Sequence, residues 1–294
     1  MRRSVILLTT VTLLAAGCGS PPPARTWERP PPPPTPDSAA PAPAPPVTAK
    51  PVGSAPAGTS TAAPPGATRP GTRPPVVDHG PRTGNLVALT FDADMTDGML
   101  YQLRTGRVKS YANLRILDLL ERERVPATFF LTGKWVERYP EITRRLAGNP
   151  RFELANHTYG HQAFTADCYG LPRVPPAQMT RDVQRTFDVI APHGGRQTRY
   201  FRFPGLCHDG PALAALAPLG VTVVDGDVVS GDPFAKKYQP IVHAVLSTVR
   251  PGSIVILHVT EANAAMTDEA LPLILAGLRE RGLKPALLSD VLAS

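Results

Sequence analysis

From Leu86 to its end, the sequence predicts an α/β fold of parallel strands and covering helices, with a (β/α) barrel favoured over an open sheet. Three observations carry this. Short β-rich apolar runs alternate with segments of helical periodicity. The alternation recurs roughly six or seven times over about 210 residues, enough for one sizeable core. Residues able to do chemistry stand where the strands end: Asp92 and Asp94, His157, Arg202, the run from Asp225 to Asp232, and His258. In a barrel those ends form one rim.

The elements follow in order. Leu86 to Phe91 (LVALTF) is an apolar strand that stops at carboxylates, and Met95 to Ser110 reads as a long polar loop. Ala112 to Arg124 places Leu114, Leu117 and Leu120 at helical spacing and ends before Pro126. ATFFL at 127–131 is the next strand, 136–146 a helix stopped near Gly148, and 152–155 a short strand leading into Asn156 and His157. A helix over 176–190 precedes a strand over 199–203, then a helix over 211–216 and a strand over 221–224. A helix over 238–249, the apolar strand SIVIL at 253–257 before His258, a long helix over 267–281 and a last strand near 285–288 complete the pattern.

The segment His157-Thr158-Tyr159-Gly160-His161 places two imidazoles four residues apart. If it opens a helix, both share one face and can bind one ion. Two histidines and a carboxylate, with positions left for water, suit a catalytic divalent metal such as Zn²⁺.

Upstream of the fold the composition changes. Arg2 and Arg3 precede an apolar stretch from Val5 to Ala16, the proportions of a signal peptide and short for a membrane span. It ends in Leu14-Ala15-Ala16-Gly17-Cys18, which resembles the lipobox of bacterial lipoproteins. That resemblance implies cleavage before Cys18, lipid on its sulfur, and an extracytoplasmic protein anchored to the cell membrane and facing the wall. Of the 36 prolines, 21 fall between Pro21 and Pro81, with almost no Leu, Ile or Phe among them. Such a stretch has nothing to bury against its chain entropy and reads as a disordered, partly polyproline tether. The expected organisation is a signal peptide at 1–18, a linker at 19–83 and one catalytic domain at 84–294. The net charge of +7 is concentrated upstream: residues 1–82 carry eight basic against three acidic residues, which leaves +2 for the rest. With no basic stripe carrying aromatics in the folded part, nucleic-acid binding is not expected. In an oxidising compartment the two remaining cysteines, Cys168 and Cys207, are expected to pair.

The ordered motifs Thr90-Phe91-Asp92, His157 to His161, Arg202-Phe203-Pro204-Gly205, Asp227 to Asp232 and Ile256-Leu257-His258 resemble the polysaccharide deacetylase family, also called the NodB homology domain. The resemblance runs from about Leu86 to the C-terminus and includes Pro126 to Leu131. It implies a distorted (β/α) barrel, one divalent ion, and removal of acetyl groups from sugars. It assigns Asp92 as the general base, Arg202 as its orienting partner, the Gly205 N–H as oxyanion donor, and His258 as the general acid. By the same resemblance Asp232, with Asp227 second, matches the carboxylate expected to keep His258 protonated.

The sequence departs from the family pattern at Ala93, where a metal-binding aspartate is usual. Asp94 shares a side with Asp92 and becomes the expected third ligand, with Asp97 or a water as alternatives. Pro233 stands where an aromatic residue often lines the groove, and the 95–110 loop is long. The expected activity is N-deacetylation of a cell-wall glycan, most simply peptidoglycan, by a monomer. The alternatives are an O-acetyl polysaccharide esterase and a non-catalytic glycan-binding protein on the same fold.

Overall fold

The computed structural model describes residues 63–294. The expected signal peptide, the lipobox with Cys18 and the linker up to residue 62 lie outside the described residues. In chain order the elements are β1 (Val76–Val77), β2 (Leu86–Ala93), α1 (Asp97–Arg104), α2 (Leu114–Arg122), β3 (Ala127–Leu131), α3 (Gly133–Arg138), α4 (Pro140–Gly148) and β4 (Phe152–Asn156). Then follow α5 (Met179–Ile190), β5 (Arg196–Phe201), α6 (Gly210–Leu216), β6 (Thr222–Val224), β7 (Val228–Val229), α7 (Tyr238–Thr248), β8 (Ile254–His258), α8 (Thr267–Glu280), β9 (Lys284–Ala286) and α9 (Leu288–Ala293).

All the strands run parallel, in the order β1-β6-β5-β4-β3-β2-β8-β7. β9 lies beside the first half of β2, and β3 beside its second half. β1 and β7 end the sheet without pairing to each other, so the barrel is a curled half-barrel rather than a closed ring.

Along β2 the strand period of two divides the side chains between two layers. Val87, Leu89, Phe91 and Ala93 pack into the core under the helices, whereas Ala88 belongs to the cluster inside the curl with Phe130, Ala155 and Ile254. α9 closes the bottom of that interior through Leu288 and Val291. Buried Glu153 accepts from Thr128 Oγ1 there at 3.1 Å and from Ser289. Among the described residues α9 therefore covers one end of this interior, and a cavity lies at the other, where the strands end.

Several sequence expectations need correction. Residues 63–83 are not part of a free linker. Thr68 N–H donates to Gly220 O (3.0 Å), β1 adds to β6 as an edge strand, and Arg82 bridges Asp227 at 2.8 Å. Proline is tolerated here because edge strands need donors on one side only. The expected 95–110 loop contains α1, capped by Thr96 Oγ1 on Met99 N–H. The helix expected over 136–146 is two helices, because Pro140 cannot continue the first and starts the second at N1. The strand expected at 199–203 ends at Phe201, and the chain end adds α9 after a shorter β9.

Candidate active site

Sheet register sets the height of the site. Asp92 lies directly opposite His258 in the β2–β8 ladder, and Leu131 opposite Asn156 in β3–β4. One residue further, His157 N–H donates to Leu131 O (3.0 Å) and Arg202 N–H to Asn156 O (2.9 Å). Asp92, His258, His157 and Arg202 thus arrive at one level from four strands.

The two histidines are not on a helix, which corrects the sequence expectation. His157 to His161 form an irregular loop with positive φ at Thr158 (67°) and His161 (53°). This doubles the chain back until the ring centroids are 5.0 Å apart. The loop is tied on all sides. Asn156 accepts from Thr158 N–H (3.0 Å) and donates to Val183 O (2.9 Å). Gly133 and Lys134 N–H groups hold the Thr158 and Tyr159 carbonyls, and Asp182 accepts from Tyr159 N–H at 2.8 Å. Asn156 and Asp182 were not singled out from sequence; an Asn directly before the motif, in an Asx-turn position, is the signal that could have found the first.

Asp94, His157 and His161 each offer a ligand atom, and those atoms lie within 4.8 Å of one another. Asp94 Oδ1 is 3.5 Å from His157 Nε2 and 3.4 Å from His161 Nε2. It is buried without a hydrogen-bond partner among the described residues. His157 Nδ1 faces the Arg202 carbonyl at 2.9 Å; a carbonyl only accepts, so Nδ1 carries the proton and Nε2 presents a lone pair. An orphaned buried carboxylate oxygen beside the His157 and His161 imidazoles fits a divalent ion. Asp97 does not reach this group; it is exposed and pairs with Lys134 at 2.6 Å. Ala93 points the other way, into the helix-side core.

Arg202 is fully buried, with Nη1 on Asp92 Oδ1 at 2.6 Å, Nε on Val224 O at 3.1 Å and its plane 4.0 Å over Phe130. Asp92 Oδ2 faces His157 Nε2 at 3.7 Å. His258 is held by buried Asp232, which accepts from both Nδ1 and the backbone N–H at 2.8 Å. Thr267 (2.7 Å) and Ser230 (2.9 Å) complete the Asp232 shell. Asp227 lies outside this group, accepting from Arg82, Ser253 and Ile254 N–H.

Electrostatics separate these groups. Burial opposes the Asp94 charge, yet His161, His157 and His258 together hold it well below the usual carboxylate range. Burial pushes His161 down to about 4, although Asp94 pulls the other way. Burial also acts to lower His258, but Asp232, with Asp94 and Asp92 behind it, pushes it up to about 10. One imidazole is thereby kept neutral, as a ligand must be, and another protonated, as an acid must be.

These residues line a cavity of about 390 Å³, with Gly205, Tyr169, Leu206 and Phe234 on its walls. Gly205 has φ of 60°, and its N–H meets no acceptor among the described residues. A groove of about 460 Å³ along α7 and α8 has none of these groups, so volume alone does not locate the chemistry. Cys168 and Cys207 are joined by a disulfide that links the loop after the histidines to the one after Arg202.

A sequence profile of the family described as Polysaccharide deacetylase matches residues 79–224. A chitooligosaccharide deacetylase of Bradyrhizobium sp. (strain ANU 289) is 32% identical over 183 residues, covering 58% of this chain and 79% of that protein. A solved peptidoglycan N-acetylglucosamine deacetylase superposes with a TM-score of 0.63 at 23% identity, over 74% of this chain and 93% of that one. A family 4 acetyl xylan esterase from Clostridium thermocellum, solved with a cobalt ion, is 27% identical with a TM-score of 0.56, over 71% of this chain and 90% of that one.

Proposed function

This chain belongs to the polysaccharide deacetylase family, and from that premise we propose that it is a divalent-metal hydrolase removing N-acetyl groups from a cell-wall glycan, most simply peptidoglycan. The observation that carries the reading is the convergence of Asp94, His157 and His161 between two hydrogen-bonded pairs, Asp92–Arg202 and His258–Asp232.

Asp94, His157 and His161 would hold the ion, which when bound supplies Lewis-acid polarisation and lowers the pKa of a water. Asp92 is the general base: Arg202 fixes Oδ1, and Oδ2 is left to take the proton of the attacking water. The Gly205 N–H donates to the oxygen that gains charge, typically worth about 3 to 4 kcal/mol in the transition state. His258, its Nδ1 committed to Asp232, turns Nε2–H toward the cavity and protonates the departing nitrogen.

The lipobox and proline-rich segment support a lipid-anchored, wall-facing location, and that location supports peptidoglycan over other acetylated glycans. The same residues would serve an O-acetyl esterase, whose leaving group needs less help from an acid. The test is acetate release from N-acetylglucosamine oligomers, peptidoglycan and acetylated xylan, before and after chelation and with Zn²⁺ restored. Metal-dependent release from the amide substrates is expected, with His258→Ala lowering it about 10²-fold or more. Release from xylan alone would make the protein an esterase, and no release with any divalent ion would leave a glycan-binding protein.

A further inference from the structure

Tyr169 occupies a position that folding alone does not account for. Tyr169 and Gly170 are the central residues of a tight turn closed by Leu171 N–H on Cys168 O (2.9 Å), and both have positive φ, 52° and 71°. Such a turn favours Asn or Gly, and a bulky side chain at its first central position carries a steric cost. Tyr169 is 77% exposed, so it recovers little by burial. It nevertheless lines the cavity that holds Asp92, Asp94 and His258.

The turn that carries Tyr169 is also fastened. Cys168, the preceding residue, is buried and bonded to Cys207, which fastens the turn to the loop that carries Gly205. A Cβ at position 205 would lie 2.8 Å from Tyr169 Cδ2 and 2.8 Å from Cys168 Sγ. The aromatic edge therefore rests against the peptide whose N–H is the proposed oxyanion donor. In the order of the sheet, Tyr169 rises on the β4–β5 side of the catalytic groups. Phe234, equally exposed at 77%, rises on the β7 side and lines the same cavity.

Two flat aromatic walls over a floor of carboxylates and imidazoles match a chain of pyranose rings. Each ring offers an apolar C–H face to an aromatic and hydroxyl edges to polar groups. Tyrosine gives such a face at low entropic cost. We propose that Tyr169 is a specificity-determining residue: a sugar next to the reacting one stacks on its ring, and the Cys168–Cys207 disulfide acts as the positioning device that holds the ring there. This rests on the glycan-deacetylase reading and adds the residue on which the sugar beside the reacting one is held.

The test measures binding and turnover of the N-acetylglucosamine hexamer by the full chain. Calorimetry on chelator-treated protein reads binding without hydrolysis, and steady-state kinetics on metal-loaded protein reads KM against kcat. Tyr169→Ala should weaken hexamer binding and raise KM about ten-fold or more, with kcat changed less than three-fold. Tyr169→Phe and Tyr169→Trp, which keep the ring, should stay within about three-fold of the parent. Cys168→Ser/Cys207→Ser should raise KM in the same direction, and adding Tyr169→Ala to it should cost little more, because both act through one ring. Hexamer binding indifferent to Tyr169→Ala, or a Tyr169→Phe variant as impaired as Tyr169→Ala, overturns the proposal. If the parent binds the hexamer through Tyr169 yet releases no acetate, the deacetylase reading fails and the stacking role stands.

Discussion

Ala93 and Asp94 occupy successive positions where β2 ends, and the pleat sends them to opposite layers: Ala93 into the helix-side core, Asp94 to the rim. Strand geometry thus brings Asp94, and not residue 93, to the two histidines. Asp94→Ala should abolish tight divalent binding by calorimetry and lower acetate release about 100-fold or more. Ala93→Asp in that background should not restore binding, and should destabilise the fold by about 3 kcal/mol or more through a buried, unpaired carboxylate; recovered binding would place the ion elsewhere. Asp182, which anchors the histidine loop through Tyr159 N–H, makes a separate prediction. Burial pushes it up to about 6, against the opposing pull of that hydrogen bond and of Arg185 and Lys134. A folded-state pKa raised above the unfolded value of 3.8 means stability that is present below pH 4 and lost as pH rises through 6. Asp182→Asn keeps an acceptor for Tyr159 and removes the charge. It should raise stability by about 1 to 2 kcal/mol at pH 7.5, after discounting for partial exposure, and leave it unchanged at pH 4. Urea unfolding at the two pH values reads this directly, and an equal effect at both would refute it.

Among the elements, β1 and the chain from residue 63 to 83 matter most for how the domain is cut. They cover the β6 edge through Val223 N–H on Pro75 O (2.9 Å) and Asp225 N–H on Val77 O (2.8 Å). They also place Gly66 against the Tyr200 ring, where a Cβ would lie 2.5 Å away. A chain starting at residue 84 should therefore lose about 3 kcal/mol or more relative to one starting at 63, from lost edge pairing and from Asp227 left without Arg82. Equal urea midpoints for the two would show this segment to be dispensable. Composition concealed it, because Pro74, Pro75 and Pro81 look like linker yet suit an edge strand. The long helices and the apolar strands β2, β3 and β8 were legible because periodicity and burial agree there. The split at Pro140 and the α1 insertion were not read, since short helices carry too few periods to stand out.

For the molecule as a whole, the described residues cover one end of the half-barrel with α9 and leave a cavity at the rim where the strands end. The Cys168–Cys207 bridge spans 39 residues, and its removal should lower stability by about 2 to 4 kcal/mol in addition to its effect on the cleft. The proposed anchor makes the whole-cell prediction. Cys18→Ser should move the protein from the detergent phase to the aqueous phase on phase separation of cell extracts. A parent protein already in the aqueous phase would end the lipoprotein reading.

The sequence by itself determined the fold class, the rim on which chemistry collects, and the residue types available there. Strand ends are local events, and apolar runs announce them. Only the tertiary structure decided how those residues meet. The imidazoles converge through left-handed turns at Thr158 and His161, which the sequence suggested as a helix face. Asp232 rather than Asp227 reaches His258, because a 3₁₀ turn at Asp232–Phe234 brings its carboxylate to the end of β8. The exposure of Tyr169 and Phe234 beside the cavity depends on a disulfide and on sheet order, both long-range contacts that no local pattern encodes. Periodicity records which side of an element is buried; distances between elements belong to the packing.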